Sequence, residues 1–202
     1  MTTTRQSDRE KLAQYFDNQS DIDLLLSIKY DLSPEQFEDR VADYYHRIEW
    51  YQTTVQWWFD DEGVDIVAHK AWSPTLYIQC KKWIQGHITM KDIGYFYGIV
   101  TDQTDENIQM VYVTTTWITP NAKKFAKSKN IVLKNYRDIV DMARSMGDID
   151  QWLSQNTWTA VDRDTTVDRD TDDTDIPTTS LVDREWPQIA KLQAEITSLS
   201  DL

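Results

Sequence analysis

Asp65 interrupts an otherwise apolar stretch, Val64-Asp-Ile-Val-Ala68, and Gln79 and Lys81 stand two residues apart in Leu76-Tyr-Ile-Gln-Cys-Lys81. A carboxylate among apolar neighbours costs free energy unless it is paired or binds a cation. In a strand, side chains alternate between faces, so Tyr77, Gln79 and Lys81 point one way and Leu76, Ile78 and Cys80 the other. If the two stretches form neighbouring strands, Asp65, Gln79 and Lys81 converge on one small volume. That set fits metal-assisted hydrolysis of a phosphodiester. Magnesium takes oxygen ligands and keeps several waters. Asp65 would supply an anionic oxygen, the Gln79 amide carbonyl a neutral one and the Cys80 backbone carbonyl a third. Such an ion polarises a phosphate and lowers the pKa of a bound water. Lys81 would orient or help deprotonate the attacking water and stabilise charge building on the phosphate. Asp65, Gln79 and Lys81 are thus the candidate catalytic residues, and Mg2+ or Mn2+ the expected cofactor.

Elements on either side must position these residues. Ser33-Pro34-Glu35-Gln36 is a helix start, with Ser as N-cap, Pro in the first turn and Gln three residues after the cap. Phe37, Val41, Tyr44, Tyr45 and Ile48 continue it at helical spacing, and Glu38 borders their face. Thr53 to Phe59, Val64 to Ala68 and Leu76 to Lys81 read as three strands of an antiparallel meander, separated by turns at Asp61-Glu-Gly63 and Ser73-Pro74. Thr89 caps a helix running through Val100. Met110 to Thr114 is a nearly continuous apolar strand and so central. A helix from Thr119-Pro120 to Lys127, a short strand at Ile131-Val-Leu133 and a helix from Tyr136 to Arg144 follow. The order αβββαβαβα describes an α/β fold, a mixed sheet with helices on both faces. Before this core, Ile22 to Ile28 reads as a short helix or strand packing on the domain edge, in a region without other strong signals.

The chain has 202 residues, enough for one globular domain with an appendage. No apolar run approaches the ~20 residues of a membrane span, the first ten residues are too polar for a signal peptide, and the single cysteine excludes an internal disulfide framework. These features point to a cytoplasmic protein with no membrane partner. Net charge is −13, which taken alone argues against nucleic acid as a partner. The charge is uneven. From Asn156 onward there are 11 Asp and Glu against 4 Lys and Arg, and before it 23 against 17. In that tail Val161-Asp-Arg-Asp-Thr is echoed by Val167-Asp-Arg-Asp-Thr, in a stretch with almost nothing apolar. It is expected to be disordered to about Ser180. Ile189, Leu192, Ile196 and Leu199 then restore helical spacing.

The motifs resemble those of the Mrr-like branch of the restriction-endonuclease-like nucleases, whose active site is written as Asp followed by (Glu or Gln)-x-Lys. Leu32-Ser-Pro-Glu-Gln-Phe-Glu-Asp-Arg-Val-Ala42 resembles the opening helix. Asp61-Glu-Gly-Val-Asp-Ile-Val-Ala68 resembles the aspartate strand, with Glu62 where glycine is usual, and Ile78-Gln-Cys-Lys-Lys-Trp83 the Gln-x-Lys strand. Val111-Tyr-Val-Thr-Thr-Thr116, with Thr119, Ala122 and Ala126, resembles the downstream strand and helix. The resemblance runs from about Leu32 to Arg144. It implies a restriction-endonuclease-like core and a nuclease acting on double-stranded DNA, related to restriction or defence. It also makes Glu38 an additional catalytic candidate, because the opening helix often carries an acid near the metal. The expected organisation is an N-terminal extension over 1–31, a nuclease domain over 32–155, an acidic disordered linker over 156–180 and an amphipathic helix over 181–202.

Each residue also has a plainer reading. Asp65 can cap a turn, Lys81 can be a solvated strand-end lysine, Glu38 can face water, and Asp61 more simply caps its turn than binds a metal. Lys82, Lys91, Lys123 and Lys124 are candidates for phosphate contacts, although scattered lysines usually serve solvation. His46, His69 and His87 lack a shared metal-ligand spacing. The nine tryptophans read mostly as core. An active endonuclease competes with a catalytically inactive DNA-binding or protein-interaction module of the same fold, and with an interaction protein working through its acidic tail. A homodimer joined by the C-terminal helix and a helix folded onto its own domain both remain open.

Overall fold

The computed structural model of the chain describes residues 2–56, 63–102 and 107–147. The acidic tail, its terminal helix, Trp57, Trp58 and Asp61 lie outside these residues. Among the described residues, α1 (Thr2–Leu12), α2 (Gln19–Asp31) and α3 (Pro34–Arg47) precede the strands β1 (Gln52–Val55), β2 (Ile66–His69), β3 (Thr75–Lys81) and β4 (His87–Ile88). Then come α4 (Met90–Thr101), β5 (Ile108–Thr114), β6 (Trp117–Ile118), α5 (Pro120–Ser128), β7 (Val132–Lys134) and α6 (Tyr136–Ser145).

The expected core order is present, with a helix pair added before it and the two-residue strands β4 and β6 paired in parallel beside it. The main sheet runs β1-β2-β3-β5-β7. β1, β2 and β3 are the antiparallel meander, while β3, β5 and β7 are parallel. β5 therefore lies between two parallel neighbours, and the helices of its crossovers cover the sheet, as parallel pairing requires.

The α3 cap is reciprocal. Gln36 N–H donates to Ser33 Oγ at 3.1 Å, and Ser33 N–H donates to Gln36 Oε1 at 2.7 Å. From that start Phe37, Val41 and Tyr45 pack against the face of the sheet made by Ile66, Ala68, Leu76, Ile78, Val111 and Val113. Ile139, Val140 and Ala143 of α6 close the same layer. The opposite face takes α4 and α5 through Ile93, Phe96, Val100, Ala122, Phe125 and Ala126.

Two expectations are corrected. Residues 22–28 are not an edge element, because Leu24, Leu25 and Ile28 of α2 are buried in the same layer as α3 and α6. The sequence signal was weak because α2 is apolar on several sides, with Leu24, Leu25 and Leu26 all buried, and so shows little helical period. Of the four described tryptophans, Trp50, Trp72 and Trp117 are not core residues, whereas Trp83 packs against the layer of α4 and α5; the other five lie outside the described residues. Trp50 and Trp72 are 76% and 104% exposed, Trp117 is 41% exposed, and Trp83 is half-buried. Trp50 and Trp72 both adopt positive φ, so they sit in turns whose geometry holds the rings away from the sheet.

Candidate active site

The β2–β3 ladder opens with Ile66 paired to Ile78, and Asp65 stands just before it, bonded to the Ile78 and Gln79 stretch of β3. Asp65 N–H still donates to Ile78 O at 2.9 Å, and its carbonyl accepts from Gln56 N–H at 2.8 Å, so the backbone is tied on both sides. Its side chain turns back onto β3. Asp65 Oδ2 accepts from Cys80 N–H and from Gln79 Nε2, each at 2.5 Å. The carboxylate thus takes the place of the ladder partner that Cys80 lacks where β2 begins. Asp65 is 6% exposed and Gln79 9%. These bonds satisfy a buried charge that would otherwise be costly.

The same Gln79 Nε2 also donates to Cys80 O at 3.3 Å. The amide nitrogen must be the group facing this point, because both neighbours only accept. Asp65 Oδ2 and Cys80 O therefore converge on one donor, and they are two of the three oxygens expected to hold a cation. Turning the Gln79 amide over would direct Oε1 to the same place. One carboxylate oxygen and two neutral oxygens suit a hard divalent ion that keeps several waters. The residues fit the group.

Lys81 ends β3 on the face shared by Tyr77 and Gln79 and is half-buried, with Nζ 6.0 Å from the centre of the Trp83 ring. Its peptide is fixed from β5, where Thr114 Oγ1 donates to Lys81 O at 2.8 Å and Thr115 N–H at 3.3 Å. Thr115 Oγ1 accepts Trp83 N–H at 3.0 Å and donates to Trp83 O at 3.1 Å, which holds the segment after Lys81. Glu38 is half-buried on α3, and its charge reaches β3. Burial pushes the Cys80 thiol well up, and the Asp65 and Glu38 carboxylates push it further.

The other candidates scatter. Lys82 alternates to the opposite side of the chain from Lys81; burial lowers its pKa, while Asp31 and Glu35 oppose that shift. Lys91 and Lys124 are exposed at the starts of α4 and α5, and Lys123 lies 4.7 Å over the Trp117 ring. His46 and His69 have separate partners, Tyr51 O and Thr75 Oγ1, and His87 is exposed in β4. Among the described residues no group of three His, Cys, Asp or Glu side chains is placed to hold a metal.

Gly63 is part of the site and was read in the sequence only as turn punctuation. Its φ is +72°, and a Cβ there would stand 2.7 Å from Ile99 Cδ1 and 3.4 Å from Gln79 Oε1. The positive φ favours glycine, and an added methyl would clash with the end of the Ile99 side chain while meeting the Gln79 amide only at ordinary contact distance. The threonine run Thr114-Thr115-Thr116 was the other legible signal. Three hydroxyls at the end of a buried strand have to bond to something, and Thr116 Oγ1 donates to Gly86 O at 2.5 Å.

Comparison with known proteins gives the same placement. No curated protein matches the chain. Among solved structures, the crystal structure of a protein of unknown function, AF1548, superposes with a TM-score of 0.50 at 21% identity, covering 57% of this chain and 67% of that one. MspJI restriction endonuclease, in complex with a 27-mer oligonucleotide, superposes with a TM-score of 0.51 at 18% identity. That match covers 68% of this chain and 35% of the MspJI chain, so the present chain spans about a third of it. At these identities the likeness is one of fold. The Mrr catalytic-domain model, described as restriction endonuclease, matches residues 30–143, more than half of the chain and all of the strands above. The chain belongs to the Mrr-type restriction endonuclease family.

Proposed function

We propose that this protein is a divalent-metal-dependent endonuclease that hydrolyses phosphodiester bonds in double-stranded DNA, in a restriction or defence setting in the cytoplasm. The observation that carries the reading is the convergence of Asp65 Oδ2 and Cys80 O on the Gln79 amide, on the sheet face that also bears Lys81. Asp65, Gln79 and the Cys80 carbonyl would hold Mg2+ or Mn2+. When bound, the ion supplies a polarised phosphate and a more acidic water. Lys81 is placed by Thr114 and Thr115 to orient that water and to stabilise the charge that develops on the phosphate. Trp83, beside the lysine, limits the water around its ammonium group. Glu38, half-buried on α3, is the additional acid that the opening helix offers. Family membership and the DNA-cutting activity named for MspJI support this direction. The test is conversion of supercoiled plasmid to nicked and linear forms by the full chain with Mg2+ or Mn2+, against chelator. Absence of cutting with either ion overturns the reading.

A second reading, a binding module of the same fold without catalysis, is favoured by one observation. Among the described residues no group of three His, Cys, Asp or Glu side chains is placed to hold a metal, and the net charge is −13. Plasmid retention without cutting would select it.

A further inference from the structure

A cavity of about 630 Å³ opens between α1 with Lys29 of α2, the loop Ile84 to Gly86 after β3, the segment Thr115 to Trp117 after β5, and Tyr136. Thr115 lines it and also donates its N–H to Lys81 O, so the cavity wall and the candidate active site share one peptide. Three aromatic rings bound it. Tyr15 lies 5.7 Å from Trp117 and 5.8 Å from Tyr136, and Trp117 stacks on Tyr136 at 6.2 Å. Tyr15 is 36% exposed and Trp117 41%, so these two rings are not consumed in closing the core, whereas Tyr136 is buried in it. A smaller cavity of about 250 Å³ shares the same three rings and brings Lys123 and Arg137 to them. The larger cavity is also lined by a buried acceptor and donor side by side. Lys29 Nζ donates to Asp8 Oδ2 at 3.0 Å, and Tyr30 donates to the same oxygen at 2.9 Å.

We propose that this cavity receives a single unstacked nucleobase from the DNA next to the bond that is cut. The inference rests on the nuclease reading above. A nucleobase is flat, carries donors and acceptors on one edge, and is attached to phosphate; the cavity offers rings, a carboxylate beside an ammonium group, and cations on the neighbouring side of the rings. Stacking on aromatic side chains accepts any base, because every base has a π-face. The volume falls within the ~300–1,000 Å³ of sites that enclose small ligands. A duplex cannot enter a space of this size, so the base must leave the stack, as it does for enzymes that enclose one nucleotide.

The test titrates each of the four deoxynucleoside monophosphates, and deoxyribose 5-phosphate, into the full chain by calorimetry. At least one nucleotide is expected to bind saturably and about tenfold more tightly than the sugar phosphate. Trp117→Ala is expected to weaken it by about tenfold or more, Trp117→Phe to restore most of the affinity, and Trp72→Ala, which removes an exposed ring from a distant turn, to leave it unchanged. If Trp117→Ala fails to fold by circular dichroism, Tyr15→Leu is read in its place. The tightest nucleotide should also slow plasmid cutting, with half-effect near its Kd. No saturable nucleotide binding, equal binding of the sugar phosphate, equal affinity in Trp117→Ala, or cutting undisturbed by saturating nucleotide each overturns the proposal. Nucleotide binding by a chain that never cuts plasmid overturns the nuclease reading instead and leaves the nucleobase assignment of the cavity in place.

Discussion

Gln79 donates from its amide nitrogen to Asp65 Oδ2 at 2.5 Å, just beyond the pairing of Ile66 with Ile78 that opens the β2–β3 ladder. The same nitrogen reaches Cys80 O at 3.3 Å, so the amide stands at the point where the two oxygens converge. Turning that amide over would present its oxygen there.

Replacing Asp65 should separate chemistry from folding. Asp65→Asn keeps an acceptor for Cys80 N–H and is expected to fold with a near-normal Tm while losing metal binding and plasmid cutting. Asp65→Ala leaves that buried N–H and the Gln79 amide short of a partner and should cost about 1–3 kcal/mol as well. Thermal melts with and without Mn2+, beside a nicking assay, check both. Cutting at the full rate by Asp65→Asn would remove Asp65 from the site.

Lys81→Ala is expected to lower the cutting rate by roughly 10²–10⁴-fold, the range for loss of a positioned proton-transfer group, with little change in Tm. The lysine is half-buried at a strand end, and its backbone carbonyl keeps its partners Thr114 and Thr115 in the variant. Single-turnover rates on plasmid decide this, and a change of less than threefold would assign Lys81 to solvation.

Gln79→Glu is expected to bind Mn2+ more tightly than the native chain, and Gln79→Ala more weakly, because a carboxylate adds charge to a site with few anionic ligands. Without metal, Gln79→Glu should be the less stable protein. It loses the donor to Asp65 and sets two carboxylates face to face. Calorimetric titration and melts in chelator give the two halves of this prediction, and equal Mn2+ affinity in all three proteins would show that Gln79 is no ligand.

Gly63→Ala should destabilise the fold by about 1–2 kcal/mol from the left-handed backbone alone, and by more if Ile99 cannot yield. The added methyl would meet Gln79 Oε1 only at ordinary contact distance, so Mn2+ affinity should fall less than stability does. Loss of stability with unchanged affinity would confine Gly63 to a turn role.

Lys29→Met should cost about 3–5 kcal/mol, since it leaves Asp8 as a buried charge short of its main partner. Both side chains are 11% exposed, and their bond ties α1 to α2. The double variant with Asp8→Leu should recover most of the loss, as buried ion pairs replaced by apolar groups often do. Urea unfolding of the two single variants and the double gives the coupling.

The sequence by itself determined the helix starts, the meander and the pattern of strands and helices after it. These follow from local signals: Ser33 and Gln36 around Pro34, alternation in Leu76 to Lys81, and the apolar run ending at Thr114. It also placed Gln79 and Lys81 on one face, because strand parity is a matter of counting, while bringing Asp65 to them depends on how β2 pairs with β3. It did not reveal α2 as core, since a helix buried on several sides has no polar stripe to betray its period. It did not show that Trp50 and Trp72 stand outside the core, because turn backbones that composition does not encode hold them outward. Only the tertiary structure decided that the Gln79 amide bridges Asp65 Oδ2 and Cys80 O, that Gly63 passes against Ile99, and that Tyr15, Trp117 and Tyr136 meet at the cavity whose wall includes Thr115. Tyr15 and Trp117 are more than a hundred residues apart in the chain, and it is the docking of the N-terminal helix pair across the strand ends that brings them into contact.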